Sequence, residues 1–285
     1  MTSSNQPTEP EWLAKPSGDC CLKGHIHTGN PKGDFEWIAD IETYISRPTP
    51  ENANGHIVLY YPDVFGMFTN GLLIMDEMAN AGYLVLGLDY FQGDPIYLHR
   101  TSLKTPKPDF DFDAWKAKYH EFAQANVPRW IDAVKQKYGK PTTGYACVGY
   151  CFGAPYVCNS LTSKPGQSPP CDVGAFAHPA FLKEHHFADL QRPLFLSCAE
   201  TDHTFSTEAR NKAIDMLSQA KKPYHLQLFS GVAHGFALRC NLDVPYERWV
   251  KEASLRGIIE YFDFWLGAGD KDKAQGTKLG AREDT

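Results

Sequence analysis

Short unbroken apolar runs alternate along this chain with longer segments whose apolar positions recur at helical spacing. Ile57-Val58-Leu59-Tyr60-Tyr61 is apolar at every position, the pattern of a strand covered on both faces. The same pattern predicts strands over 83–88, 145–149, 173–177, 193–198 and 224–229, and an outer strand over 38–45. Helical spacing predicts helices over 72–81, stopped by Gly82, and over 206–220 and 247–266. A further helix is expected over 114–137, where Pro128 should start a new segment or kink it. Residues 94–113 are rich in proline and polar groups and read as a long excursion from the sheet. Strands and helices in this alternation predict an α/β fold with a mostly parallel central sheet covered by helices on both faces. The expected layout is a flexible amino-terminal arm (1–19), one domain (20–266) and a polar tail (267–285).

Composition narrows the class. The 285 residues are 42% hydrophobic and 22% charged, as expected of a soluble globular chain. The net charge of −6 argues against nucleic acid as a partner, because sequence-independent binding needs a basic footprint. No apolar run approaches the ~18 residues of a membrane span, and the polar start Met1-Thr2-Ser3-Ser4 is not a signal peptide. A cytoplasmic location, no membrane partner, and a monomer or homodimer are expected. The eight cysteines (20, 21, 147, 151, 158, 171, 198 and 240) show no disulfide spacing and read as reduced thiols.

Gly149-Tyr150-Cys151-Phe152-Gly153-Ala154 follows the apolar run 145–148 and opens a potentially helical segment. This is the glycine–x–nucleophile–x–glycine elbow of α/β-hydrolases, with cysteine at the nucleophile position. The glycines let a strand turn sharply into a helix and push the central side chain above the sheet. The helix aims its N–H groups and positive dipole end at that side chain, which acidifies a thiol and prepares it to attack a carbonyl carbon. The competing reading is a small buried cysteine.

A cysteine nucleophile needs a base, and the base an orienting acid, each in a loop after a later strand. After the strand ending at Cys198 come Glu200, Asp202 and His203; after the strand ending at Phe229 comes His234, flanked by Ala233 and Gly235. Asp202 is the preferred acid over Glu200 and His234 the preferred base over His203, which adjoins the acid in the wrong loop. The alternative is a helix-capping Asp202 and a surface His234.

Gly149 to Gly153, Glu200-Thr201-Asp202, His234-Gly235-Phe236 and Pro62-Asp63-Val64-Phe65-Gly66 together resemble the dienelactone hydrolase family. Cys20-Cys21 with Gly24, His27, Gly29, Pro31 and Gly33 is similar to its eukaryotic, particularly fungal, members. The resemblance spans about residues 18–266. It implies the α/β-hydrolase fold, a Cys151–His234–Asp202 triad, and an oxyanion hole from the backbone N–H groups of Phe152 and Val64. It implies hydrolysis of a small ester or lactone through a thioester, with no cofactor and no metal.

The chain also departs from the bacterial members. Asp63 stands where they carry a glutamate that engages the resting thiol, and it is either a shorter version of that gate or a loop carboxylate bonding local N–H groups. Of the two arginines that hold a substrate carboxylate there, the first has no counterpart near Tyr90-Phe91-Gln92-Gly93, and Arg239 is either the second or a surface side chain. Tyr150, Phe152, Tyr90, Phe91 and Tyr97 suggest a planar acyl group or serve as packing. Cys20-Cys21 with His25 and His27 could be read as zinc ligands, although zinc pairs are usually spaced. Three other functions stay open: a secondary-metabolite enzyme acting on a polyketide lactone, a ligand-binding protein without turnover, and an interaction module on the same fold.

Overall fold

The computed structural model of the protein describes residues 12–18, 24–102 and 105–268. The first half of the chain forms strands β1 (Trp12–Ala14), β2 (Asp34–Ile38), β3 (Ile41–Ser46), β4 (Ile57–Tyr61), β5 (Leu84–Leu88), β6 (Arg100–Ser102) and β7 (Thr105–Pro106). Helix α1 (Thr69–Asn80) lies between β4 and β5, and α2 (Phe112–Tyr138) follows β7. The second half contains β8 (Tyr145–Tyr150), α3 (Ala154–Ser160), β9 (Val173–Ala177), β10 (Leu182–Lys183), α4 (His185–Ala188) and β11 (Leu194–Thr201). It ends with α5 (Thr207–Gln219), β12 (Tyr224–Ala233), α6 (Phe236–Arg239) and α7 (Pro245–Leu266).

The eight-stranded sheet runs β12-β11-β9-β8-β4-β5-β3-β2. All pairings from β12 to β5 are parallel, and the β5–β3 and β3–β2 pairings are antiparallel. From β4 the chain moves outward to β5, then returns to lay β8 on the other side of β4. The loops leaving the carboxyl ends of β4 and β8 therefore diverge, and that divergence is the switch point of the sheet. β4 and β9 are buried at every residue and β8 at all but its first, Tyr145, as expected for strands covered by helices on both sides.

Three elements differ from the sequence reading. The outer strand expected over 38–45 is a hairpin, because Ala39 and Asp40 take φ values of 49° and 60°, the two consecutive left-handed residues of a tight turn. Helix α2 runs unbroken through Pro128. Pro128 lies on its exposed side, so the carbonyl freed there can be hydrated, while Trp115, Tyr119, Ala123, Val127, Trp130, Ile131 and Val134 bury the opposite stripe. The expected loose arm is held in place over residues 12–18: β1 pairs antiparallel with β10, and Leu13 and Ala14 are core residues. The rest of that arm, Cys20 and Cys21, and the tail beyond residue 268 lie outside the described residues.

The 94–113 excursion is clamped to α2. Asp94 accepts from Tyr119 Oη (2.6 Å), its carbonyl accepts from Trp115 Nε1 (3.0 Å), and its other carboxylate oxygen meets His99 Nε2 at 2.5 Å. Among the described residues no helix is long and apolar enough to cross a membrane.

Candidate active site

Cys151 stands at the carboxyl end of β8 with φ 49°, a left-handed conformation that a cysteine adopts only where the surroundings impose it. The flanking glycines explain how the turn fits. A Cβ on Gly153 would lie 2.2 Å from the Tyr61 carbonyl oxygen, and one on Gly149 2.6 Å from that of Gly153. The elbow is thus pressed against β4, and α3 starts directly from it.

Asp202 follows β11, and His234 follows β12. His234 Nδ1 donates to the Asp202 carboxylate, at 2.9 Å from Oδ1 and 3.0 Å from Oδ2. Thr204 adds its backbone N–H to Asp202 Oδ1 (2.9 Å), and its hydroxyl lies 2.7 Å from the same oxygen and 3.0 Å from His234 Nδ1. Burial by itself would raise the Asp202 carboxyl; the charge and hydrogen bond of His234 and the two Thr204 contacts outweigh it and hold the group down at about 2. Glu200, the other acid considered, is exposed on β11. The His203 ring packs against His234 at 4.8 Å between centroids, and its Nδ1 lies 4.0 Å from Asp202 Oδ1.

The nucleophile and acid loops are tied together by the segment after β9. Ala180 N–H donates to the Cys151 carbonyl (3.1 Å), and the Thr204 hydroxyl lies 2.8 Å from that of Pro179. His178 in this segment is fully buried, with its ring 4.9 Å from His234 and 5.8 Å from Tyr150. Sequence reasoning missed it, since the run His178-Pro179 carries no pattern that points towards the site.

Asp63 and Val64 lie in the loop after β4. Asp63 Oδ1 accepts from Phe65 N–H (2.9 Å), while Oδ2 pairs with Arg239 Nη1. The surface alternative for Arg239 does not hold, since its side chain is 1% exposed and its guanidinium sits 4.7 Å over the Phe65 ring. The Val64 carbonyl accepts from Ile96 N–H (3.0 Å), joining the 94–113 excursion to this loop. Tyr150 is buried against Tyr60 (5.5 Å). Tyr90 and Phe91 are likewise fully buried and pack on Phe152 at 5.4 and 5.0 Å, whereas Tyr97 is 41% exposed.

The amino-terminal segment reaches the thiol: Ser17 Oγ lies 3.2 Å from Cys151 Sγ. His27, one of the zinc candidates, directs Nε2 at the Cys240 carbonyl (2.9 Å) and Nδ1 at Lys251 Nζ (3.3 Å). Among the described residues, the group with metal-ligand spacing is Asp202, His203 and His234, whose ligand atoms lie within 4.8 Å of one another. Two of its members are already bonded to each other.

A model of the dienelactone hydrolase family matches residues 41–265. The chain is 40% identical over 267 residues, 93% of its length and 99% of the relative's, to "dienlactone hydrolase 1" of Gibberella moniliformis. It is 32% identical to "hydrolase tropI" of Talaromyces stipitatus, covering 88% of this chain and 97% of that one. Among solved structures, the dienelactone hydrolase-like promiscuous phosphotriesterase P91 from metagenomic libraries superposes with a TM-score of 0.60 at 13% identity, covering 82% of this chain and 98% of its own. Esterase Est2 of Thermogutta terrifontis gives 0.55 at 14% identity, covering 81% and 95%. The chain belongs to the dienelactone hydrolase family, hydrolases of carboxylic esters built on the α/β-hydrolase fold.

Proposed function

We propose that the protein hydrolyses a small ester or lactone through a thioester on Cys151. The observation that carries the reading is the buried His234–Asp202 pair (2.9 and 3.0 Å), held through residues 179–180 to the elbow that presents the thiol. Asp202 fixes the imidazole with Nδ1–H towards itself, which leaves Nε2 as the basic nitrogen. Nε2 takes the thiol proton, and the thiolate attacks the acyl carbon. As the S–C bond forms, the carbonyl π pair moves to oxygen, where the backbone N–H groups of Phe152 and Val64 are the donors. A lost donor of this kind costs about 3–4 kcal/mol of transition-state stabilisation. The pair returns, the C–O bond breaks, and His234 gives its proton to the departing alkoxide or enolate. Water deprotonated by His234 then attacks the thioester, and the acid and the thiol are released.

Thiolate is a better leaving group than an amine, so esters and enol lactones are the expected substrates and amides poor ones. The test is intact-mass spectrometry on wild type and Cys151→Ala during turnover of p-nitrophenyl acetate. An acetyl adduct that forms and decays in wild type only, with turnover lost in the variant, supports the reading. Equal turnover in both proteins rejects it.

A further inference from the structure

Cys151 and Phe152 are fully buried, and His234 and Asp202 are 7% and 6% exposed, so something covers this site. Residues 12–18 lie across it and are held from three sides. On one side Lys15 N–H donates to the Thr204 carbonyl (2.7 Å), two residues from Asp202. In the middle Phe181 N–H donates to the Lys15 carbonyl (3.1 Å), next to Ala180, which binds the Cys151 carbonyl. On the far side Lys116 Nζ of α2 donates to the Ser17 carbonyl (2.9 Å). Between the last two anchors the Ser17 hydroxyl, itself 1% exposed, faces Cys151 Sγ at 3.2 Å. Beneath the same strap His120, one turn after Lys116, stacks on Phe152 at 4.1 Å between ring centroids.

From this arrangement we infer that Ser17 is a positioning residue for the Cys151 thiol and that residues 12–18 are the strap which closes the acyl site. The inference rests on Cys151 being the nucleophile. A serine hydroxyl can accept from the neutral thiol and, by rotating its proton, donate to the thiolate. It therefore holds Sγ in one place in both states and favours the charged one. Lys116 acts as the latch, because its ammonium binds backbone and leaves the Ser17 hydroxyl for the sulfur. Substrate enters when the 15–17 segment lifts from Lys116, while β1 stays paired to β10. The titratable groups on the elements packed against the strap and the elbow are Lys116, with Asp113 on its ammonium, and His120 on α2, Tyr90 after β5, His178 after β9, Asp202 and His234, and the Asp63–Arg239 pair. None of these is altered by changing Ser17.

The experiment is the rate of Cys151 alkylation by iodoacetamide as a function of pH, followed at the Cys151 peptide by mass spectrometry. Ser17→Ala should raise the midpoint of the profile by about one pH unit, the size of one hydrogen bond to a charged group. Ser17→Thr, which keeps the hydroxyl, should restore it. Lys116→Met should raise the plateau rate several-fold, whatever the loss of its positive charge does to the midpoint. A Ser17→Ala profile equal to wild type, or a Ser17→Thr profile equal to that of alanine, overturns the positioning role. An unchanged plateau in Lys116→Met overturns the latch, and decides the case if Ser17→Ala does not fold. Alkylation does not depend on turnover, so retained esterase activity in Cys151→Ala would sink the hydrolase reading separately.

Discussion

Two buried charge pairs stand at the carboxyl end of the sheet, and one partner of each comes from the same short stretch after β12. His234 turns back to Asp202 after β11, and Arg239 turns to Asp63 after β4. All four side chains are almost wholly buried. The first pair can lose its charge by moving a proton, because an imidazole titrates near neutrality. The second cannot, because a guanidinium stays protonated. The same burial therefore has different consequences: the imidazole of the first pair can take up and release a proton, whereas the guanidinium of the second keeps its charge and is expected to brace the loop after β4. Gly235 stands between the two, as the residue that opens α6.

The largest effect should come from the movable pair. Asp202→Asn keeps the shape but removes the charge that orients His234, and ester turnover should fall roughly 10³–10⁴-fold. Its urea midpoint should move far less than that of Arg239→Met. The opposite ranking would mean that the roles of the two pairs are reversed.

Arg239→Met leaves Asp63 buried without its counter-charge and should cost about 3–5 kcal/mol in chemical denaturation. Adding Asp63→Asn should recover most of it. If the double variant is no more stable than the single, the brace is not electrostatic.

His120 sharpens the contrast, since it is a largely covered ionisable ring with no acidic partner among the described residues. Burial first, then the Lys116 charge, holds it down at about 4. An unfolded histidine titrates near 6.5, so between these values the unfolded chain binds more protons. The stability from keeping this ring neutral is thus present above about pH 6.5 and lost as pH falls towards 4. His120→Gln should remove about 3 kcal/mol of that pH dependence, read as a flatter melting-temperature profile from pH 7 to 4. The Asp202 contribution persists through that window and disappears only below it, as pH falls towards about 2. An unflattened profile would place the acid sensitivity elsewhere.

The smallest effect is expected at Gly235. It has φ 91°, and a Cβ there would sit 2.6 Å from the Arg239 guanidinium. Gly235→Ala should cost about 1–3 kcal/mol and lower turnover as well, because it disturbs both pairs at once. Normal turnover with lowered stability would show that only the brace feels the change.

The residue pattern determined whatever depends on neighbours along the chain: the apolar runs of β4, β8 and β9, the elbow glycines, and the placing of Asp202 and His234 in loops after consecutive sheet strands. The turn at Ala39-Asp40 escaped it because neither residue is a glycine, and the unbroken α2 because exposure of Pro128 is a packing property. What only the tertiary structure decided are the contacts between distant segments. Nothing near Asp63 in sequence announces Arg239, and nothing near Ser17 announces Cys151. Those partners meet because the sheet order brings the carboxyl ends of β4, β8, β11 and β12 together, and because β1, too short and isolated to read as a strand, finds its hydrogen bonds on β10.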